Sequence, residues 1–199
     1  MKKCHHPNMI ALREELKHKR DTASVFPAYD MDLRKLLGLR RETPDEFPSS
    51  TRQSILSQMW LGLAYLHSSS IVHRDIKPAN ILIRLGMKVV AVLADMGLAV
   101  DISVPSIVAG YDGLGELTAG VCSGGYIAPE LLIVRRNLNE SAAYGLPVDV
   151  WSAAVVTWEI YSLGLFIGRS SSTGDEMRII ACRLGKPPTV ISGTHDKMV

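Results

Sequence analysis

Two short apolar runs, ILIRL (81–85) and VVAVLA (89–94), flank the tripeptide GMK, and this pairing constrains the fold more than any other stretch. Apolar runs of this length on either side of a turn read as a β-hairpin of mostly buried strands. Asn80 precedes the first run and Asp95 ends the second, so an antiparallel hairpin returns both to its open end. Neighbouring strands lie about 4.7–4.9 Å apart, so two oxygens there can share one cation with bonds of about 2.0–2.1 Å. The polar stretch HRDIKPAN (73–80) is therefore expected to meet ADMG (94–97).

The chain of 199 residues suits one domain with a real core, and its 47% hydrophobic content is that of a globular protein rather than a disordered one. A net charge of +2 with dispersed basic residues calls for no nucleic-acid partner, and KHKR (17–20) reads as a solvated face. The most apolar stretch, WSAAVVTWEIYSLGLFI (151–167), is short for a membrane span and carries Glu159, so a buried helix is expected and no membrane. Cys4, Cys122 and Cys182 form no C-x-x-C pair. With no signal-peptide pattern at the start, reduced thiols in an intracellular protein, cytoplasmic or nuclear, are expected. CHH (4–6) has no second ligand pair and reads as an ordinary exposed terminus.

Ile55, Met59, Leu63 and Leu66 recur at helical spacing through ILSQMWLGLAYLH, with Ser50 and Gln53 at capping-box spacing before them. PVDVWSAAVVTWEIYS opens a helix with Asp149 in its first turn, where a carboxylate suits the helix dipole, and the helix should end near Gly164. Thr173 and Glu176 mark a last helix with an apolar face of Met177, Ile180 and Leu184. Residues 101–125 read as a mobile loop. GLGELTAG (113–120) fails as a phosphate-cradling G-x-G-x-x-G, because Thr118 takes the last glycine's place. Propensity alone makes ALREELKHKR a helix.

The order HRDIKPAN, DMG, APE (128–130) and DVWS (149–152) resembles the C-terminal lobe of a eukaryotic protein kinase, from residue 5 to about residue 190. The resemblance implies an α+β, protein-kinase-like fold: mainly the helical C-lobe, with the catalytic-loop hairpin and remnant hinge strands. Residues 1–32 would carry the remnant N-lobe strands and hinge, and 33–199 a truncated C-lobe. It makes Asp75 the base at the substrate hydroxyl, Lys77 the charge on the transferring phosphoryl group, and Asn80 and Asp95 the magnesium ligands. Arg74 matches the arginine that grips a phosphorylated activation loop. Lys77 favours serine/threonine over tyrosine kinases, and Ser123 takes the place of the threonine that touches the catalytic aspartate and lysine in that class.

VFPAYDMDLRKLL (25–37) resembles the hinge of the cyclin-dependent and mitogen-activated group. On it Phe26 is the gatekeeper, Pro27 to Tyr29 bind adenine, and Asp32 neighbours the ribose. Thr118 sits where that group carries its activating phosphothreonine. The implied cofactors are ATP and Mg2+, and the implied partners a protein substrate and an activating partner or upstream kinase acting at Thr118. The resemblance also makes IALRE and SVFPAY strands, against propensity.

Several family features find no counterpart in the sequence: the glycine-rich lid, the strand lysine with its glutamate, and the late arginine that pairs with the acid of APE, here Glu130. Met96 replaces the phenylalanine of D-F-G, and Ile127 the arginine usual before APE in the cyclin-dependent group. The chain is therefore expected to be weak or inactive in phosphoryl transfer alone. A non-catalytic kinase-like interaction module is the alternative reading, and a small-molecule phosphotransferase a distant third.

Overall fold

The hairpin predicted from the apolar runs is present. In the computed structural model, which describes residues 5–18, 21–103, 124–136, 145–168 and 172–185, β5 (Ile81–Arg84) pairs antiparallel with β6 (Val90–Leu93), from Ile81↔Leu93 to Arg84↔Val90. Alternation sends Ile81 and Ile83 into the core and leaves Leu82 half-buried on the opposite face. A two-residue strand, β3 (Met31–Asp32), adds to the outer edge of β5, with Asp32 opposite Leu82.

Helix α1 (Leu33–Glu42) follows β3 at once because Asp32 caps it, its Oδ1 accepting the Lys35 amide at 2.8 Å. Helix α2 (Ser49–Ser68) buries Ile55, Met59, Leu63 and Leu66, as their spacing predicts. Its start differs from expectation: Pro48 is the N-cap and its carbonyl accepts the amides of Thr51 and Arg52, so Ser50 lies inside the helix and caps nothing. Beyond Ser70, which has φ +57°, the chain turns into β4 (Ile71–Val72), and β4 pairs with β7 (Val100–Asp101).

Three further helices complete the described chain: α3 (Pro129–Arg136), α4 (Pro147–Ser162) and α5 (Thr173–Leu184). Helix α4 stops at Leu163, which itself takes the left-handed conformation expected of Gly164. Helix α5 is capped by Ser172, whose Oγ accepts the Asp175 amide at 3.2 Å, one residue before the expected Thr173. Of its predicted apolar face Ile180 is buried and Met177 packs against the same cluster, while Leu184 is exposed.

The main core joins Leu33, Leu36 and Leu37 of α1, the α2 stripe, Ile81 and Ile83 of β5, Leu93 of β6, and Ala153, Val156 and Ile160 of α4. Each fully buried aliphatic contributes about 1.5–3 kcal/mol, so one face of the hairpin is held firmly against the core. A second cluster unites Leu132, Val155, Phe166, Ile167 and Ile180. The mixed helix and strand content is the expected α+β architecture. Among the described residues no helix is long and apolar enough to cross a membrane.

The segment 10–29 follows the strand reading rather than the helical one, with a shift along the chain. The strands are β1 (Glu14–His18) and β2 (Asp21–Val25), an antiparallel pair in the register Leu16↔Ala23 and His18↔Asp21, exposed throughout. Just before it, residues 8–10 lie along β6: Leu93 N donates to the Asn8 carbonyl and Ile10 N to the Leu93 carbonyl.

Candidate active site

Residues 73–80 run from β4 to a single 3-10 turn, Pro78–Asn80, directly before β5. Their shape is imposed from α4. Asp149, fully buried, accepts the His73 amide at Oδ2 (2.7 Å) and the Arg74 amide at Oδ1 (2.8 Å), while His67 Nε2 lies 3.0 Å from Oδ2. Between these bonds Arg74 holds φ +68°, a conformation that costs a non-glycine residue free energy and persists only where its surroundings dictate it. The expected dipole role of Asp149 in the first turn of α4 is thus joined by a second one, as anchor of this loop.

The anchored loop gathers three of the predicted site residues around one carboxylate. Asp75 Oδ2 accepts from Lys77 Nζ at 2.7 Å and from Asn80 Nδ2 at 2.8 Å, and the same Nδ2 also reaches the Asp75 carbonyl at 2.8 Å. Among the described residues no donor meets Asp75 Oδ1. With both acceptors on Nδ2, the Asn80 amide is oriented so that Oδ1 is turned away from Asp75.

Asp95 reaches the same place through the hairpin. The Ala94 amide donates to the Asn80 carbonyl at 2.8 Å, setting the next residue, Asp95, beside the loop. Asp95 has φ +61° and is exposed, with Oδ1 accepting the Gly97 amide at 3.3 Å. Met96 packs against the main core as its apolar character predicts. His73 ties the two strands of the site together: Nδ1 accepts the Asp75 amide at 3.3 Å and Nε2 faces the Ala94 carbonyl at 3.1 Å. That pattern needs the neutral Nε2–H tautomer. Burial lowers the His73 pKa accordingly, against the pull of Asp149, the Ala94 carbonyl, Asp75 and Asp95.

Arg74 Nε donates to the Leu98 carbonyl, just past DMG. The segment 27–32 is stapled to the end of β5. Asp30 Oδ2 accepts the Leu85 amide at 2.6 Å, the Asp30 amide donates to the Ile83 carbonyl, and Arg84 lies 4.7 Å over the Tyr29 ring. Pro27 and Tyr29 are half-buried, and Phe26 is 40% exposed. Ser123 and Thr118 lie outside the described residues.

A magnesium site fits this donor set. The Asn80 side-chain Oδ1 and the Asp95 carboxylate are hard oxygens, and Mg2+ ordinarily takes one or two protein oxygens plus waters and substrate phosphates. Among the described residues no group of three or more His, Cys, Asp or Glu side chains forms an all-protein cage. Glu130, the acid of APE, is exposed in the first turn of α3.

Two residues escaped the sequence reading. His73 looked like part of a polar turn, and only its position between Asp75 and Ala94 reveals a bridge. Leu82 was counted with its apolar run, although period-two alternation already sets it apart from Ile81 and Ile83.

A family model described as protein kinase domain matches residues 1–188. Cyclin-dependent kinase 4 of Ovis aries is 34% identical over 189 residues, spanning 92% of this chain and 55% of that protein. Cyclin-dependent kinase F-3 of Oryza sativa subsp. japonica is 29% identical over 94% of this chain and 38% of its own length. The serine/threonine-protein kinase MAK of Homo sapiens is 32% identical over 94% and 27%. Among solved structures, a chain of the yeast RNA Pol II CTD kinase CTDK-1 complex superposes with a TM-score of 0.71 at 28% identity, covering 89% of this chain and 52% of that one. The chain thus spans about half, or less, of the length of these relatives.

Proposed function

The chain belongs to the protein kinase domain family, among relatives of the cyclin-dependent serine/threonine type, and from that premise we propose that it takes part in ATP- and magnesium-dependent phosphoryl transfer to serine or threonine hydroxyls of a protein substrate. One observation carries the proposal: Lys77 and Asn80 both converge on Oδ2 of Asp75, beside the hairpin end that carries Asp95.

Asp75 is the base. With Oδ2 held by two donors, Oδ1 faces the substrate hydroxyl and takes its proton while the hydroxyl oxygen bonds to the γ-phosphorus and the bond to the nucleoside diphosphate breaks. Lys77 stabilises charge on the transferring group, and its bond to Asp75 fixes the distance between base and phosphoryl site. Asn80 and Asp95 would hold the magnesium ion, which when bound neutralises phosphate charge. Pro27 to Tyr29 receive the adenine with Phe26 behind them, Asp32 stands by the ribose, and Leu82 offers an apolar surface next to Asp32. Arg74 and Ser123 complete the set, with Arg74 directed at the segment after DMG. In this reading residues 1–32 are hinge and adjoining strands and 33–199 the helical lobe. An activating partner and modification at Thr118 remain part of the proposal.

Incubation of the protein with Mg-ATP and serine/threonine peptides tests it. Transfer is expected to fall by about 10²–10⁴-fold in Asp75→Asn, the range that a positioned acid–base group supplies, and to vanish in Asp95→Ala. Retained transfer in Asp75→Asn overturns the assignment. Absence of both transfer and any Mg-ATP thermal shift leaves the interaction-module reading standing.

A further inference from the structure

The hairpin of β1 and β2 carries an edge that no other described residue covers. Every residue of both strands is exposed, and β1 pairs with β2 alone among the described residues. At its centre Leu16 is 50% exposed. Glu14, Glu15 and Lys17 form no ion pair among the described residues.

The backbone shows which groups that edge presents. The Val25 carbonyl accepts the Arg13 amide, so Val25 turns its polar groups towards β1. The register places Glu14, Leu16 and His18 opposite Val25, Ala23 and Asp21, and backbone groups alternate sides along a strand. Glu14, Leu16 and His18 therefore direct their amides and carbonyls to β2, while those of Glu15 and Lys17 point outward. An unpaired edge is a template for another strand, and native chains usually blunt it with charge, proline or a bulge. Lys17 is such a charge, yet the order Glu14, Glu15, Leu16, Lys17, His18 is complementary to its own reverse.

We propose that β1 is a self-association strand: a second copy of this chain pairs its β1 antiparallel with the first, about a two-fold axis at Leu16. Such an axis makes one patch serve on both sides. Only registers that set odd-numbered residues opposite odd-numbered ones let the outward groups of the two copies bond. Of the three with most overlap, one sets Glu15 against itself and another sets Lys17 against itself. The register centred on Leu16 instead sets Glu15 opposite Lys17, Glu14 opposite His18 and Leu16 opposite Leu16. Glu15 and Lys17 then exchange N–H···O bonds on either side of the axis. The Leu16 pair takes the close, non-hydrogen-bonded site, with Cα atoms about 4.5 Å apart. Ala23 lies beside each Leu16 on the same face, which gives the joined sheet an apolar row across its middle. One strand a side covers far less than the roughly 1,600 Å² of a standard interface, so the pairing is weak and concentration-dependent. The edge is separate from the residues around Asp75, and the assignment does not depend on phosphoryl transfer.

Sedimentation equilibrium of the whole chain across a dilution series, with amide exchange at Glu15 and Lys17, tests it. A monomer–dimer equilibrium is expected, with both amides slowed at high concentration and released on dilution. Glu15→Lys makes both cross-axis pairs Lys–Lys, and Lys17→Glu makes both Glu–Glu. Each should weaken the dimer about tenfold, since two attractive cross-strand pairs become repulsive. An equimolar mixture of the two variants restores opposite charges in both pairs and should associate as the unsubstituted protein does. The double variant Glu15→Lys/Lys17→Glu should do the same, and thermal midpoints should hardly move. A monomer at every concentration overturns the proposal. Slow exchange at Glu15 and Lys17 that dilution leaves unchanged overturns it as well, and assigns the edge to another segment of this chain. A dimer that neither single variant weakens, or that the mixture fails to rescue, is built on a different surface and also overturns it.

Discussion

Oδ2 of Asp149 lies 2.7 Å from the backbone nitrogen of His73, across a separation of 76 residues in sequence. This bond and its twin from Oδ1 to Arg74 mean that the loop carrying Asp75 takes its shape from a helix far along the chain. Local sequence could not set φ +68° at Arg74 on its own. The buried carboxylate turns an unfavourable turn into a fixed frame, and Asp75, Lys77 and Asn80 then close on one another within it.

Replacing Asp149 should therefore damage the site and the fold together. Asp149→Ala removes the acceptor of two backbone amides and the partner of His67, and hydrogen bonds to charged groups are each worth about 1.5–3 kcal/mol. A loss of about 3–5 kcal/mol in urea denaturation is expected, as for other buried partners removed singly. Asp149→Asn, which keeps one acceptor oxygen, should lose less. Equal stability of Asp149→Ala and the unsubstituted protein contradicts the anchoring role.

His73 makes stability depend on acid. Its folded pKa is lowered by burial from the ordinary 6.5, so below that value the unfolded chain binds the proton first. The stability associated with neutral His73 is complete above pH 6.5 and is lost as pH falls toward the folded value. Denaturation midpoints measured from pH 7.5 to 5 should decline, and His73→Phe should flatten that part of the curve.

The sequence made the hairpin and α2 legible because each depends on local periodicity, whereas the roles of Asp75, Lys77 and Asn80 came from the family resemblance. Long-range choices were not legible. Asp149 has two plausible roles for a carboxylate at the start of a helix, and only tertiary packing adds the loop anchor to the dipole. The cap of α2 lies two residues before the expected Ser50, where the Pro48 carbonyl takes the first amides, and that of α5 one residue before Thr173, where the Ser172 hydroxyl competes with a neighbour of similar propensity. Strands β1 and β2 bury nothing among the described residues, so no hydrophobic pattern announces them.

Glu159 should impose the opposite pH trend. Burial raises its pKa from 4.5, while the Tyr126 hydroxyl, the Phe166 amide and Arg41 restrain the rise. A carboxyl raised in the fold contributes stability that is complete below about pH 4.5 and is lost as pH climbs through its folded value. Tyr126→Phe deletes the donor to the carboxylate at 2.9 Å and should extend that loss to higher pH, whereas Glu159→Gln should abolish it. Identical pH profiles for the two variants count against this account.

Gly62 and Gly38 offer a pair of substitutions with opposite signs. Both lie inside helices, α2 and α1, where alanine is ordinarily favoured by about 1 kcal/mol. Around Gly38 there is nothing within 4 Å of an added β-carbon, so Gly38→Ala should stabilise by about 0.5–1 kcal/mol. At Gly62 the same methyl would stand 2.7 Å from the Asn8 carbonyl oxygen and 3.3 Å from Leu93 Cδ1. That carbonyl accepts the Leu93 amide, so it cannot withdraw without breaking the bond that seats residues 8–10 along β6. Gly62→Ala should thus lower the denaturation midpoint despite its better helix propensity, and should speed amide exchange at Leu93 and Ile10. A stabilised Gly62→Ala would show that the segment yields easily, and that its packing on α2 does little to hold β6 and Asp95 in place.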